Sequence, residues 1–218
     1  MITQHPGEET LVAFAAGQLS TGLALVVGTH VEQCRHCARA IGLLEVVGGV
    51  LLEQTEPAVL APDAFANALN RLDTDIGAGS ARPAREPSRP ALPDGMQWPQ
   101  SMRDCSATRW QWLSPGMRWS RVTMPDAPDA NVFLLRIGAG KALPRHTHTG
   151  REFTQVIYGH FSDDRGRYAP GDFDETDEDI RHQPVVEADG ECICLAAVDG
   201  RVVFDGLIAR LFSSMVGI

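Results

Sequence analysis

The chain has 218 residues, of which 44% are hydrophobic and 22% are charged, and its 28 acidic and 19 basic side chains give a net charge of −9. This composition is typical of a globular protein, and the length suits one large domain or two small ones. Residues 1–73 carry three arginines against eight acidic side chains, and such a surface repels phosphate backbones. We therefore expect no direct contact with nucleic acid and a basic protein as partner.

The sequence lacks the features of a membrane or exported protein. Its longest uncharged apolar stretch, Val46 to Leu52, is too short to span a bilayer. The N-terminus has no basic region followed by an apolar one, so we expect no signal peptide. Five cysteines in an unexported chain favour reduced, metal-bound or redox-sensing thiols over disulfides. We predict a cytoplasmic protein that does not bind membranes.

The first third of the chain is predicted to be helical, because its apolar residues recur with the helical period. The predicted helices cover residues 8–19, 23–34, 38–52 and 64–72. Residues 74–93 are rich in Pro, Gly, Ser, Ala and Arg and contain almost no large apolar side chain, which predicts a flexible linker.

From Trp98 onward, short apolar runs alternate with turn residues, which predicts the strands of a sandwich or barrel. These runs include residues 117–124, 131–138, 153–158, 191–198 and 201–204. The predicted fold class is therefore α+β with two domains. A helical domain of about four helices occupies residues 1–73, the linker residues 74–93, and an all-β domain residues 94–218.

A first group of metal-ligand residue types lies in the helical region. His30, Cys34 and Cys37 follow one another as H-x3-C-x2-C. His30 and Cys34 are four apart on a predicted helix, so their side chains project from one face. A structural zinc site needs a fourth ligand, and His5, just before the first helix, is the best candidate. We interpret His36, between the cysteines, as a bystander.

Two other interpretations of this group are open. The three residues could simply pack in a helical hairpin, and C-x2-C also occurs in thioredoxin-like redox motifs, although no βαβ pattern surrounds it here. The spacing resembles the zinc-binding anti-sigma domain, in which 24 residues separate a first histidine from H-x3-C-x2-C, as they separate His5 from His30. This resemblance covers roughly residues 1–75. It implies a zinc-stabilised four-helix module that clamps a sigma factor of the extracytoplasmic-function type.

A second group lies in the β region. Its pattern, G-x5-H-x-H-x3-E-x6-G, is that of the first cupin motif and contains His146, His148 and Glu152 between two glycines. The two histidines are two apart on a predicted strand, so both rings face one side, and Glu152 can return toward the same ion. We predict that this group binds Zn or another divalent transition metal, because the ligand types alone do not choose among Zn, Fe, Mn and Ni.

The second cupin motif, G-x5-P-x-G-x2-H-x3-N, is only partly present. Gly171 and His182 keep its spacing, whereas Asp177, Asp179 and Val186 replace its proline, glycine and asparagine. The resemblance to cupins implies a metal-bearing β-barrel with His182 as the fourth ligand. A metal-free cupin whose histidines are polar core residues is the alternative.

Cys192 and Cys194 flank one residue of a predicted strand, so both thiols lie on one face. They could be small packing residues or a pair that is poised for oxidation.

A zinc-binding anti-sigma domain followed by a cupin domain resembles the ChrR-type anti-sigma factors over nearly the whole chain. The resemblance implies that the helical domain inhibits an extracytoplasmic-function-type sigma factor and that the cupin domain is needed for release under oxidative stress, notably by singlet oxygen. It also implies that the chain is not an enzyme. Cupins often dimerise, so a homodimer is an alternative state when no sigma factor is bound.

The rival hypothesis is a metal-dependent cupin enzyme, a dioxygenase or isomerase, with a helical oligomerisation domain. Acidic residues near His182 could act as its acid or base. They are Asp172, Asp174, Glu175, Asp177, Glu178 and Asp179.

Overall fold

The structure is a computed structural model that describes residues 1–78, 88–93 and 96–205, with the backbone alone for residues 73–78. Its packing divides the chain into two compact units, Met1–Val46 with Pro87–Ile218 and Val47–Glu86. The first two helices therefore belong to the same unit as the β domain. No helix in the described ranges has the length and apolar content needed to cross a membrane.

The N-terminal region contains four α-helices, which are α1 (Glu8–Ala15), α2 (Thr21–Gln33), α3 (Arg35–Glu53) and α4 (Ala64–Ala78). Ser20 precedes α2, and its hydroxyl accepts a hydrogen bond from Leu23 N at 3.5 Å, the arrangement of an N-cap. Helix α4 continues through residues 74–78, which we predicted to be linker. No proline interrupts the helix before Pro83.

The structure describes only part of the remaining predicted linker. Residues 79–87, 94 and 95 lie outside the described residues. Residues 88–93 lie against the β domain, where Ala107 N donates to Ser88 O at 2.7 Å and Arg89 Nε donates to Cys105 O at 3.0 Å.

The β domain begins with a short 3₁₀ helix (Gln100–Met102) and continues with twelve strands in the described residues. They are β1 (Ser106–Ala107), β2 (Gln111–Ser114), β3 (Met117–Met124), β4 (Ala127–Ile137), β5 (His146–His148), β6 (Glu152–Tyr158), β7 (Phe161–Asp163), β8 (Gly166–Tyr168), β9 (Phe173–Thr176), β10 (Val185–Val186), β11 (Cys192–Val198) and β12 (Val202–Phe204). The predicted succession of helices and then an all-β domain is confirmed.

All the paired strands are antiparallel. The main sheet has the order β1-β3-β4-β11-β6-β9, with β2 also paired to β3. Two smaller sheets have the orders β10-β7-β8 and β12-β5. Strand β9 pairs with β6 so that Glu152 lies opposite Thr176 and Gln155 opposite Phe173. This register brings the first cupin motif alongside residues 173–176.

All seven residues of β11 are buried, because both faces of this central strand are covered. Ile193, Leu195 and Ala197 share a core cluster with Leu23 and other apolar residues of α2. The alternate side chains of β11 belong to two other core clusters, and they are Cys192, Cys194, Ala196 and Val198. The apolar stripe of α2 therefore packs on the main sheet.

Two candidate metal centres

The first predicted ligand group converges at the corner between α2 and α3. His30 lies in the last turn of α2, and Cys34 has extended dihedral angles (φ −105°, ψ 102°), which end that helix. Cys37 follows in the first turn of α3, and His5 comes from the segment before α1. The ligand atoms of these four residues all lie within 4.8 Å of one another, and we call them the Cys₂His₂ cluster.

The spacing of these atoms fits a tetrahedral zinc ion. With Zn–N bonds of about 2.0 Å and Zn–S bonds of about 2.3 Å, a donor nitrogen lies about 3.3 Å from a second nitrogen and about 3.5 Å from a sulfur. His5 Nδ1 is 3.5 Å from His30 Nε2, and His30 Nε2 is 3.3 Å from Cys37 Sγ. His5 Nδ1 is 3.4 Å from Cys34 Sγ and 3.5 Å from Cys37 Sγ.

The protonation states of this cluster also suit a metal. Burial lowers the pKa of His30, and its Nδ1 lies 2.9 Å from Gly171 O, to which it donates when Nε2 carries the lone pair. Burial raises the pKa of Cys37 to about 12, so metal binding would have to release the thiol proton. His36 lies beside His5, with ring centroids 5.0 Å apart and the ring planes tilted by 48°, and is outside the cluster among the described residues.

The second predicted group converges inside the β domain. His146 and His148 lie on β5, Glu152 begins β6, and His182 pairs with His146 through a backbone bridge. All four side chains are buried, and their ligand atoms lie within 4.8 Å of one another. We call them the His₃Glu cluster. His146 Nε2 and His182 Nε2 are 3.0 Å apart.

One buried atom of this cluster argues for an ion. His148 Nε2 lies 2.5 Å from Glu152 Oε2 but outside hydrogen-bond geometry, and it has no other hydrogen-bond partner in the described residues. Although burial opposes its ionisation, the neighbouring His148 holds the pKa of Glu152 at about 2, and burial lowers the pKa of His146 to about 4. Although burial opposes the ionisation of His148, Glu152 raises the pKa of this histidine, so metal binding would have to displace that proton. A carboxylate and three imidazoles are a suitable donor set for a divalent transition metal.

Each histidine of the His₃Glu cluster has a contact on its other ring nitrogen, as metal-binding histidines usually do. His146 Nδ1 donates to Pro144 O at 2.8 Å. His148 Nδ1 lies 3.4 Å from Thr176 Oγ1, and His182 Nδ1 lies 3.3 Å from Asp163 Oδ2. These contacts turn the Nε2 atoms of all three rings toward the centre of the cluster.

Comparison with known proteins places this chain in a family. Residues 99–199 match the family described as the ChrR Cupin-like domain. The chain is 36% identical to the anti-sigma-E factor ChrR of Cereibacter sphaeroides over 211 residues, which are 96% of each chain. This chain belongs to the ChrR family of anti-sigma factors. A crystal structure of Rhodobacter sphaeroides SigE in complex with the anti-sigma ChrR matches with a TM-score of 0.71 and 33% identity, covering 91% of this chain and 100% of that one.

The ChrR-type chain contains a partly buried ion-pair network that the sequence did not reveal. Arg165 lies 2.7 Å from Asp163 and 2.9 Å from Asp174, behind His182. Although burial opposes its ionisation, hydrogen bonds from His182 and Arg165 keep the pKa of Asp163 well below its usual value. The sequence places Asp174 in an acidic group near His182 but gives no sign that the turn at residues 163–166 approaches this histidine.

Two cavities adjoin the His₃Glu cluster. One, of about 50 Å³, is lined mainly by apolar side chains, including Leu113, Phe133 and Phe204, together with His146 and Glu152. The other, of about 30 Å³, reaches His182 and the two thiols of Cys192 and Cys194. These sulfur atoms are 3.6 Å apart, and their mutual hydrogen bond and burial raise the pKa of Cys194. The Cys194 thiol is therefore neutral at pH 7, as expected of a small packing residue.

Proposed function

We propose that this chain is an anti-sigma factor that binds and inhibits an extracytoplasmic-function-type sigma factor through residues 1–73. The Cys₂His₂ cluster binds a structural zinc ion, and the His₃Glu cluster binds zinc or another divalent transition metal. The cupin-like domain is needed for release in response to oxidants such as singlet oxygen. Family membership supports the proposal, as does the likeness over 91% of the chain to a ChrR seen in complex with SigE.

The observation that carries the proposal is an apolar surface on the second compact unit, Val47–Glu86. Val59 is 100% exposed and Phe65 is 77% exposed. Phe65, Leu69 and Leu72 recur at i, i+4 and i+7 on α4 and form one exposed stripe. Soluble proteins rarely expose contiguous apolar patches, and such patches usually mark a site of protein interaction.

Charge supports a basic partner at this surface. The described side chains of Val47–Glu86 include Glu53, Glu56 and Asp63 against a single arginine, Arg71. A DNA-binding protein carries basic surfaces, and acidic side chains around an apolar stripe steer such a partner toward it. A sigma factor combines apolar binding surfaces with this basic character.

The zinc ion would act as a structural element. His5, His30, Cys34 and Cys37 supply four donors, which complete a tetrahedral shell and leave no position for a substrate. A filled shell at the corner would fix α3 relative to α2. The sigma-binding helices would thereby be held in one arrangement.

The His₃Glu cluster supports a different role, because its two adjoining cavities leave room for a water-sized molecule beside the metal ligands. We assign the response to oxidants to this part of the chain. The same cavities keep an enzyme as the second candidate function, since catalytic metal sites need an open position. Turnover of a small organic acid or sugar by the purified metal-loaded protein would favour the enzyme.

The experiment is copurification of the full-length protein with each candidate sigma factor, comparing Phe65→Asp with the matched control Ala66→Asp. Ala66 is also exposed on α4 but lies about 100° around the helix from Phe65. We expect Phe65→Asp to weaken sigma binding by about 2 kcal/mol, or roughly thirtyfold, as loss of an interface anchor does. Zinc content should not change in either variant.

Equal sigma binding by the two variants would contradict the assignment of this surface. Measuring the oligomeric state of both variants in the absence of sigma factor tests whether the stripe is instead a homodimer contact. If Phe65→Asp changes only the oligomeric state, the stripe is a homodimer contact.

A further inference from the structure

The cupin-like domain makes hydrogen bonds to the N-terminal segment just before His5 in the sequence. Thr3 N and Gln4 N donate to Asp172 Oδ1 at 2.6 and 3.0 Å, and Phe173 N donates to Gln4 O at 3.1 Å. Asp172 is 1% exposed, and its other oxygen accepts from Ala169 N at 2.8 Å, so the carboxylate is itself fixed. The segment is thus tied to the turn before β9.

A second carboxylate makes hydrogen bonds to the residues that follow His5 in the sequence. Thr10 Oγ1 donates to Glu175 Oε1 at 2.6 Å, and Gly7 N donates to Glu175 Oε2 at 3.2 Å. Chain termini are usually poorly ordered unless they are tied down. Here His5 lies between two attachment points, both provided by residues 172–175.

The same short stretch also contacts a second member of the Cys₂His₂ cluster. His30 Nδ1 lies 2.9 Å from Gly171 O, and the His30 ring meets Phe173 edge-on with centroids 5.5 Å apart. Gly171 has φ +92°, and a side chain at this position would press on Ile2. Glycine is therefore required where this carbonyl approaches His30.

We propose that Gly171, Asp172 and Glu175 are positioning residues of the Cys₂His₂ cluster, so that the cupin-like domain sets how tightly the N-terminal site retains its metal. The proposal rests on the metal binding included in the proposed function. Gly171 selects the His30 tautomer whose Nε2 faces the cluster, and the two carboxylates hold the segment that presents His5. Loss of such outer contacts typically costs roughly 10–100-fold in metal affinity.

The test measures metal loss from the full-length protein loaded with Co(II), with no sigma factor present. Thiolate-to-cobalt charge-transfer absorption reports the Cys₂His₂ cluster alone, because the His₃Glu cluster contains no sulfur ligand. The band is followed after addition of excess EDTA. The variants are Asp172→Ala, Glu175→Ala and Thr10→Val, and the matched control is Glu178→Ala, an exposed glutamate three residues from Glu175.

We expect Asp172→Ala to accelerate loss of the band at least tenfold, in line with other outer contacts of metal ligands. Glu175→Ala and Thr10→Val should accelerate it less. The double variant Thr10→Val/Glu175→Ala should match Glu175→Ala alone, because that change already removes the hydrogen bond from Thr10 as well as the one from Gly7 N. Glu175→Gln, which keeps one acceptor oxygen, should lie between Glu175→Ala and the parent protein. The control should match the parent protein.

Thr10→Val still tests the proposal if Asp172→Ala disturbs the β domain. It removes the hydrogen bond between Thr10 and Glu175 by a change on helix α1 alone. Loss rates within twofold of the parent for both Thr10→Val and Glu175→Ala would overturn the proposal. Absence of the charge-transfer band in the parent protein would overturn it together with the metal site. Failure to bind a sigma factor, with metal kinetics as expected, would overturn only the proposed partner.

Discussion

The two clusters differ in donor atoms and in surroundings. The Cys₂His₂ cluster has two sulfur donors and draws three of its four residues from the helical corner at positions 30–37. The His₃Glu cluster has no sulfur, lies inside the β domain, and adjoins cavities of about 50 and 30 Å³. Closed sulfur-rich shells are typical of structural zinc, whereas sites with adjoining space admit a further ligand. If both clusters bind metal as proposed, we expect one to maintain a fold and the other to respond to its surroundings.

Disruption of the Cys₂His₂ cluster is expected to have the largest effect on metal content and sigma binding. Cys37→Ser should remove the N-terminal metal, separate α3 from α2, and abolish sigma binding, because zinc supplies folding free energy to small domains. Metal analysis of the purified protein and copurification with the sigma factor would measure both losses. Cys105→Ser is the control, since Cys105 is a buried thiol outside both clusters.

A Cys34→Ser or His30→Ala variant that stays folded and inhibitory would contradict the structural role of this cluster.

A second prediction separates inhibition from response. Residues 1–90 alone should inhibit the sigma-dependent promoter as the full chain does, because the exposed stripe of α4 is retained. They should fail to release the sigma factor under singlet oxygen. A promoter-reporter assay with a photosensitiser, in light and in darkness, measures both properties, with protein levels checked because truncation exposes the sheet-facing side of α2.

A truncated protein that responds to light as the full chain does would remove the sensor role from the cupin-like domain. Because Gly171 and Asp172 are absent from the truncated protein, we also expect it to lose zinc to a chelator faster than the full chain.

Disruption of the His₃Glu cluster should have the smallest effect on sigma binding. The double variant His146→Ala/His148→Ala should lose one metal equivalent and bind the sigma factor within about twofold of the parent, because neither residue contacts the Cys₂His₂ cluster. Metal analysis and a binding titration measure the two quantities. His160→Ala, a histidine outside both predicted ligand sets, serves as control.

Loss of both metals from the double variant would show that the two clusters do not bind metal separately.

Both candidate clusters could be predicted from the sequence because their members follow helical or strand spacing. His30 and Cys34 are four apart, and His146 and His148 are two apart, so secondary structure alone puts each pair on one face. The structure brings all eight predicted residues into two groups of four. Their binding of metal ions stays a prediction.

The contacts between the helical region and the sheet could not be predicted in this way. Asp172 lies 169 residues from Thr3, and Glu175 lies 165 residues from Thr10. Pairs so distant in sequence leave no periodic pattern. The apolar stripe of α2 was visible, but its period indicates only that one face is buried and does not identify the surface that covers it.

Strand β9 contacts both clusters through opposite faces. Phe173 and Glu175 contact His30 and Thr10, whereas Asp174 and Thr176 approach the His₃Glu cluster through Arg165 and His148. Inserting one residue after Asp172 would exchange these faces and disturb both clusters together. We therefore expect the β8–β9 connection to tolerate no change of length. A chimera that joins this helical region to another cupin would have to carry residues 171–176 with it.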